Sequence, residues 1–134
     1  MLKEIKNFGG ALLLLAVPVA AQESTTQETI SNQIIAFQSG AIGEAFEFAS
    51  PSIQGLFGSP ENFGQMVQSG YPMVWEPGQV TFLEADDLGH MQTQIVMIKD
   101  QSGVLHFLEY QLVIVDGNWR INGVRFLPAP GAGA

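Results

Sequence analysis

The apolar residues of this chain change their spacing at Pro72, and no other feature constrains its fold as tightly. Upstream, Ile30, Ile34, Phe37 and Ala41 recur at steps of four, three and four, which is one face of a helix. Ser24, Thr25 or Thr26 is its expected cap. Ile42, Ala45, Phe46 and Ala49 form a second short stripe that Ser50-Pro51 stops. Ile53, Leu56 and Phe57 make a third, ended by Gly58. Ser59-Pro60-Glu61 opens a fourth helix with the face Phe63, Met66 and Val67, and Gly70 ends it. Downstream, residues 79–85, 91–99, 104–115 and 118–127 are rich in Val, Ile, Phe, Tyr and Trp and are separated by turn residues. Helices first and then an antiparallel meander predict an α+β domain, with short N-terminal helices packed on a curved four-stranded antiparallel sheet.

Turn chemistry extends the reading to register. Asp116-Gly117 is a two-residue hairpin loop that suits positive φ at both positions, so Ile114 is expected opposite Trp119 and Leu112 opposite Ile121. A loop over Asp100–Gly103 would set Lys99 opposite Val104 and Met97 opposite His106. Side chains alternate between faces. His106, Leu108, Tyr110, Leu112, Ile114, Trp119 and Ile121 then lie under the helices together with Met91, Thr93 and Ile95. The other face carries Val96, Ile98, Phe107, Val113 and Val115, with Gln92, Gln94, Gln111 and Arg120 nearer its rim. A face so apolar is expected to join two copies of the chain in a two-fold dimer, unless the sheet coils enough to close on its own edge.

The first 21 residues read as a signal peptide: Lys3 and Lys6, an apolar run from Ala11 to Val17, Pro18, and Val19-Ala20-Ala21 before Gln22. Cleavage gives a periplasmic or secreted protein; the alternative is retention as an N-terminal anchor. A single domain is expected over 22–127, followed by a disordered tail over 128–134. The formal charge of the chain is -8, and the two leader lysines would leave with the signal, so nucleic acid and anionic lipid are poor partners. With no cysteine, disulfides, thiolate metal sites and thiol catalysis are absent. No phosphate-binding glycine loop or nucleophile elbow occurs, and no cofactor is expected. Asp86, Asp87 and His90 sit in a turn without further ligands, so no metal site is expected either.

One combination of residues is more specific. It runs Gln33-Ile34, Ala36-Phe37, Ala45-Phe46, Ala49-Ser50-Pro51, Ile53-Gln54, Phe57-Gly58, Phe63, Met66-Val67, Gly70-Tyr71-Pro72-Met73-Val74, Tyr110 and Trp119-Arg120-Ile121-Asn122-Gly123-Val124. This pattern, over about residues 30–127, resembles domain-of-unknown-function family 4864, small exported proteins seen mainly in alphaproteobacteria. The helices-then-meander order ending in a turn and Trp-x-Ile also resembles the nuclear-transport-factor-2-like superfamily. That likeness implies a cone-shaped domain with room for a pocket between helices and sheet. It implies no activity, because the superfamily holds isomerases, dehydratases, cyclases and binding proteins alike.

Four residues are candidates for such a pocket. His106 and Tyr110 share a strand face at roughly 13 Å, where a His could act as base and a Tyr could donate to an oxyanion; both also suit a plain core. Tyr71 and Trp75 lie on the connection from helices to sheet and suit either a pocket mouth or a core edge. The expected function is a non-enzymatic module that binds a small apolar ligand or a protein. The alternative is an isomerase or dehydratase built on His106 and Tyr110.

Overall fold

The computed structural model describes residues 25–130. The leader 1–21, the cleavage point before Gln22 and residues 131–134 of the tail lie outside the described residues. Five helices precede four strands: α1 (Thr26–Gln38), α2 (Ile42–Glu47), α3 (Pro51–Phe57), α4 (Pro60–Gly70), α5 (Pro72–Trp75), β1 (Pro77–Asp87), β2 (Met91–Asp100), β3 (Leu105–Val115) and β4 (Asn118–Leu127). The strands form one antiparallel sheet in the order β1-β2-β3-β4, and the helices pack against one face of it. No helix among the described residues is long and apolar enough to cross a membrane.

Each helix begins and ends where its residues supply partners for free backbone groups. Thr25 caps α1 reciprocally: its hydroxyl accepts from the Glu28 N–H at 3.1 Å, and its own N–H donates to the Glu28 carboxylate at 3.0 Å. At the other end Gly40 takes φ 74°, so that Gly40 N–H reaches the Phe37 carbonyl and Ala41 N–H the Ala36 carbonyl. Ser50 and Ser59 cap α3 and α4 ahead of Pro51 and Pro60. The buried stripe of α1, which includes Ile30, Ile34 and Phe37, meets Leu108, Leu112, Trp119 and Ile121 of the sheet in a single core.

The β3–β4 hairpin has the expected register. Asp116 and Gly117 take φ 52° and 82°, and Ile114 stands opposite Trp119. The β2–β3 hairpin differs by one residue. Gly103 N–H bonds to the Asp100 carbonyl with Gly103 at φ 90°, and Asp100 N–H bonds to the Val104 carbonyl. This is a turn followed by a one-residue bulge, so Asp100 faces both Gly103 and Val104. Lys99 therefore pairs with Leu105, and Ile98 rather than Met97 pairs with His106.

A slip of one residue reverses every side chain of β2. Val96 and Ile98, expected at the centre of the outward face, are 0% exposed beneath the helices. Gln94, expected near the rim of that face, is buried there too, and its amide donates to the Leu83 and Glu84 carbonyls where β1 bulges. Ile95 and Met97 take the outward places instead, beside Phe107, Val113 and Val115.

A third irregularity shapes β4. Register shifts at Asn122, whose side-chain oxygen accepts from the Ser50 hydroxyl at 2.7 Å. The α2–α3 link lies along this edge, with Ile121 N–H on the Phe48 carbonyl and Ser50 N–H on the Ile121 carbonyl. The link covers part of an otherwise open edge and closes one side of the space under the helices.

Candidate functional site

A cavity of about 220 Å³ lies between the helices and the β3–β4 half of the sheet. Its helical wall comes from Gln33 and Phe37 of α1, Ile53, Leu56 and Phe57 of α3, Phe63, Met66 and Val67 of α4, and Val74 of α5. Ala49 and Tyr71 fill the links, and Tyr110, Ile121, Gly123 and Val124 form the sheet side. Proline-opened helices and glycine stops keep α3 to α5 short, so they bridge the sheet as separate pieces rather than as one packed rod. Phe63 anchors this wall against Phe37, Phe46 and Phe57 at ring-centroid distances of 5.9, 5.4 and 5.8 Å. Leu56 is 73% exposed and marks the outer rim.

The lining holds no charged side chain. Its polar groups are few, and two have settled partners. The Gln33 amide nitrogen donates to the Ala45 carbonyl at 3.1 Å, fixing α1 to α2. The Tyr71 hydroxyl donates to the Val124 carbonyl at 3.1 Å while its ring stacks on Phe126 at 5.0 Å. Tyr110 is different. It is 1% exposed, and its hydroxyl has no hydrogen-bond partner in the protein. Burial, with a smaller contribution from Tyr71 nearby, pushes the phenol above its ordinary range, so it stays protonated and can donate.

The four residues expected at a pocket separate into two pairs. Tyr71 and Tyr110 line the cavity; His106 and Trp75 do not. Trp75 packs on Phe37 at 5.4 Å from outside the lining. His106 lies on the helix-facing side but near the far end of β3, where its Nε2 sits 2.9 Å from an Asp100 carboxylate oxygen. That contact closes the β2–β3 hairpin, with the same carboxylate accepting from Ser102 and Val104 N–H. The hydrogen bond to His106 is the largest cause holding Asp100 below the usual carboxylate range, followed by that from Val104 N–H. Gln33, Ile53, Met66 and Val124 also line the cavity; they stand in the family pattern, but apolar spacing gives none of them a site role.

Residues 19–134 match the family described as "Domain of unknown function (DUF4864)". Among solved structures, the chain is similar to the solution structure of a SEC-C motif containing protein from Rhodopseudomonas palustris. The TM-score is 0.59 and the identity 12%, over 84% of this chain and 88% of that one. At such identity the likeness is one of fold alone. No curated protein sequence matches the chain.

Proposed function

Because the chain belongs to the family described as Domain of unknown function (DUF4864), we propose a function from the site itself: a non-enzymatic module that holds a small apolar ligand between helices and sheet. One observation carries this reading, a cavity of about 220 Å³ whose mostly apolar lining holds no charged side chain. Apolar pockets with a few placed polar groups are the usual form of small-molecule sites. An isomerase or dehydratase would need a base at the reacting carbon, and the described lining supplies neither carboxylate nor imidazole.

The finer fold reading belongs to the same proposal. Bulges at Leu83–Glu84 and Asn122 bend their strands. They support a nuclear-transport-factor-2-like cone whose concave side faces the helices. Export before Gln22 is also part of it, supported by the charged, apolar and small-residue regions of the leader. To test the binding reading, the protein is purified from its source and denatured, and the released small molecules are weighed by mass spectrometry. One apolar species near equimolar amount supports it. Its absence, together with failure to take up a hydrocarbon of matching size, counts against it.

A second reading concerns the uncovered sheet face, which we propose joins two copies. Its apolar centre is Ile95, Met97, Phe107, Val113 and Val115. Lys99, Arg120 and Arg125, the three cations of the described residues, hold outward strand positions by register, with Glu109 and Asp86 as acids among them, and Arg120 also borders a groove with Glu44 and Glu47. In a chain of net charge -8 this is the surface where a second acidic copy meets least repulsion. Light scattering that finds only monomer at tens of micromolar, where dimers of about micromolar affinity persist, removes this reading.

A further inference from the structure

Resting on the binding reading above, we infer that the ligand carries an uncharged hydrogen-bond donor, a hydroxyl or an N–H. It gives that donor to the side-chain oxygen of Gln33, while its apolar body fills the space under α3 and α4.

The donor follows from which polar atoms the cavity leaves open. The Ala45 carbonyl can only accept, so the end of the Gln33 amide that meets it at 3.1 Å is the nitrogen, and the oxygen is left without a partner. Among the described residues, the Tyr110 hydroxyl is the one buried side-chain polar atom that both lacks a partner and is closed to water. The Gln33 oxygen lacks a partner too and is therefore accessible, although the residue as a whole is only 4% exposed. It opens on the cavity, which Gln33 lines. The other side-chain oxygens of the lining are sealed or spent: Tyr110 is closed off, and the Tyr71 hydroxyl donates to the Val124 carbonyl. A wholly apolar ligand would cover the Gln33 oxygen and leave it dry and unpaired, which costs affinity. A ligand that donates to it avoids that loss.

Charge restricts the donor to a neutral one. An ammonium would find no carboxylate, since the lining holds no charged side chain. An anion would fare no better, because residues 26–75, which supply every helix of the wall, contain no Lys, Arg or His. Either ion would leave water without a counter-charge.

Volume sets the body of the ligand. An apolar cavity of about 150 Å³ takes up benzene, and in proportion the 220 Å³ here holds about nine heavy atoms.

Indole and indene have that size and share one outline, but indole carries an N–H where indene carries a methylene. Their dissociation constants are measured by NMR titration on the unmodified protein and on Gln33→Met, which keeps the length of the side chain and removes its amide. The expected result is that Gln33→Met weakens indole about fivefold while moving indene by less than about twofold. Retained indene binding shows that losing the Ala45 contact has not collapsed the cavity. A second readout needs no variant: on the unmodified protein, indole shifts the side-chain carbonyl carbon of Gln33 downfield and indene does not. Should Gln33→Met fail to fold or lose indene as well, that carbon decides alone. If it responds to both compounds alike or to neither, or if a variant that keeps indene also keeps indole at full strength, the Gln33 assignment is wrong while the cavity remains a binding site. If neither compound binds the unmodified protein, both the assignment and the binding reading fall.

Discussion

Tyr71 donates its hydroxyl to the carbonyl of Val124, and Tyr110, paired with that same Val124 across β3 and β4, has a hydroxyl with no protein partner. Both residues line one cavity, but their hydroxyls are placed differently. The first ties the α4–α5 link to the sheet and is structural. The second is buried at a cost and contributes no hydrogen bond to the fold.

That contrast sets an expectation for stability. Tyr110→Phe should leave the ligand-free protein as stable as before or raise its stability by about 1 kcal/mol, because it removes an unsatisfied donor and keeps the ring. Tyr71→Phe should lower stability by about 1 kcal/mol, since it leaves the Val124 carbonyl without its donor. Urea unfolding of the three proteins checks this. A Tyr110→Phe variant that loses more than Tyr71→Phe would mean that Tyr110 has a protein partner after all.

Trp119 is 6% exposed beneath the helices, and its carbonyl accepts from the Thr29 hydroxyl at 3.1 Å. Trp119→Ala should cost about 3–5 kcal/mol, a large share of what holds a domain of this size together. Calorimetry or chemical unfolding gives the value. A loss under about 1 kcal/mol would show that the side chain is not part of the core.

A methyl group at Gly78 would fall 2.8 Å from the Lys99 carbonyl oxygen and 2.9 Å from that of Asp100. Both are backbone atoms at the start of the β1–β2 pairing, so the strand must shift. Gly78→Ala is expected to destabilise by about 1–3 kcal/mol, while Gly55→Ala, with open space around it, should not. Equal melting temperatures for the two variants would contradict this.

The Asp100–His106 contact makes a pH prediction. Asp100 is depressed in the folded protein, so its contribution to stability is present above the ordinary carboxylate range and is lost as pH falls through the lower folded value. His106→Ala removes the largest cause of that depression. NMR titration of the Asp100 carboxyl carbon should show its midpoint moving up in the variant. An unchanged midpoint would mean that the backbone donors Ser102 and Val104 hold the carboxylate without His106.

How far the chain could be read beforehand follows from where local rules decide. Asp116-Gly117 admits one tight turn, so the β3–β4 register was legible, and so were the capped helix starts at Ser50 and Ser59. Asp100–Gly103 admits either a symmetric four-residue loop or a turn with a bulge at Gly103. The choice lies in backbone hydrogen bonds that letters do not carry, and it reversed the faces of Val96 and Ile98. Among candidate site residues, Tyr71 and Tyr110, singled out by aromatic type and position, line the cavity. His106 was misplaced because face parity says nothing of how far along the strand a cavity extends. The resemblance implied a pocket between helices and sheet, but apolar spacing alone does not show one, since the stripes that line the cavity follow the same pattern as stripes that fill a core.

Methyl-detected NMR of the purified protein titrated with cumene, a hydrocarbon of about the cavity's size, tests the central claim most directly. The account predicts saturable shifts at Ile53, Leu56, Met66, Val67, Ile121 and Val124, the methyl groups around the cavity, with Ile95, Val113 and Val115 on the outward face unmoved. Shifts confined to the outward face, or no saturable shift at all, would contradict it.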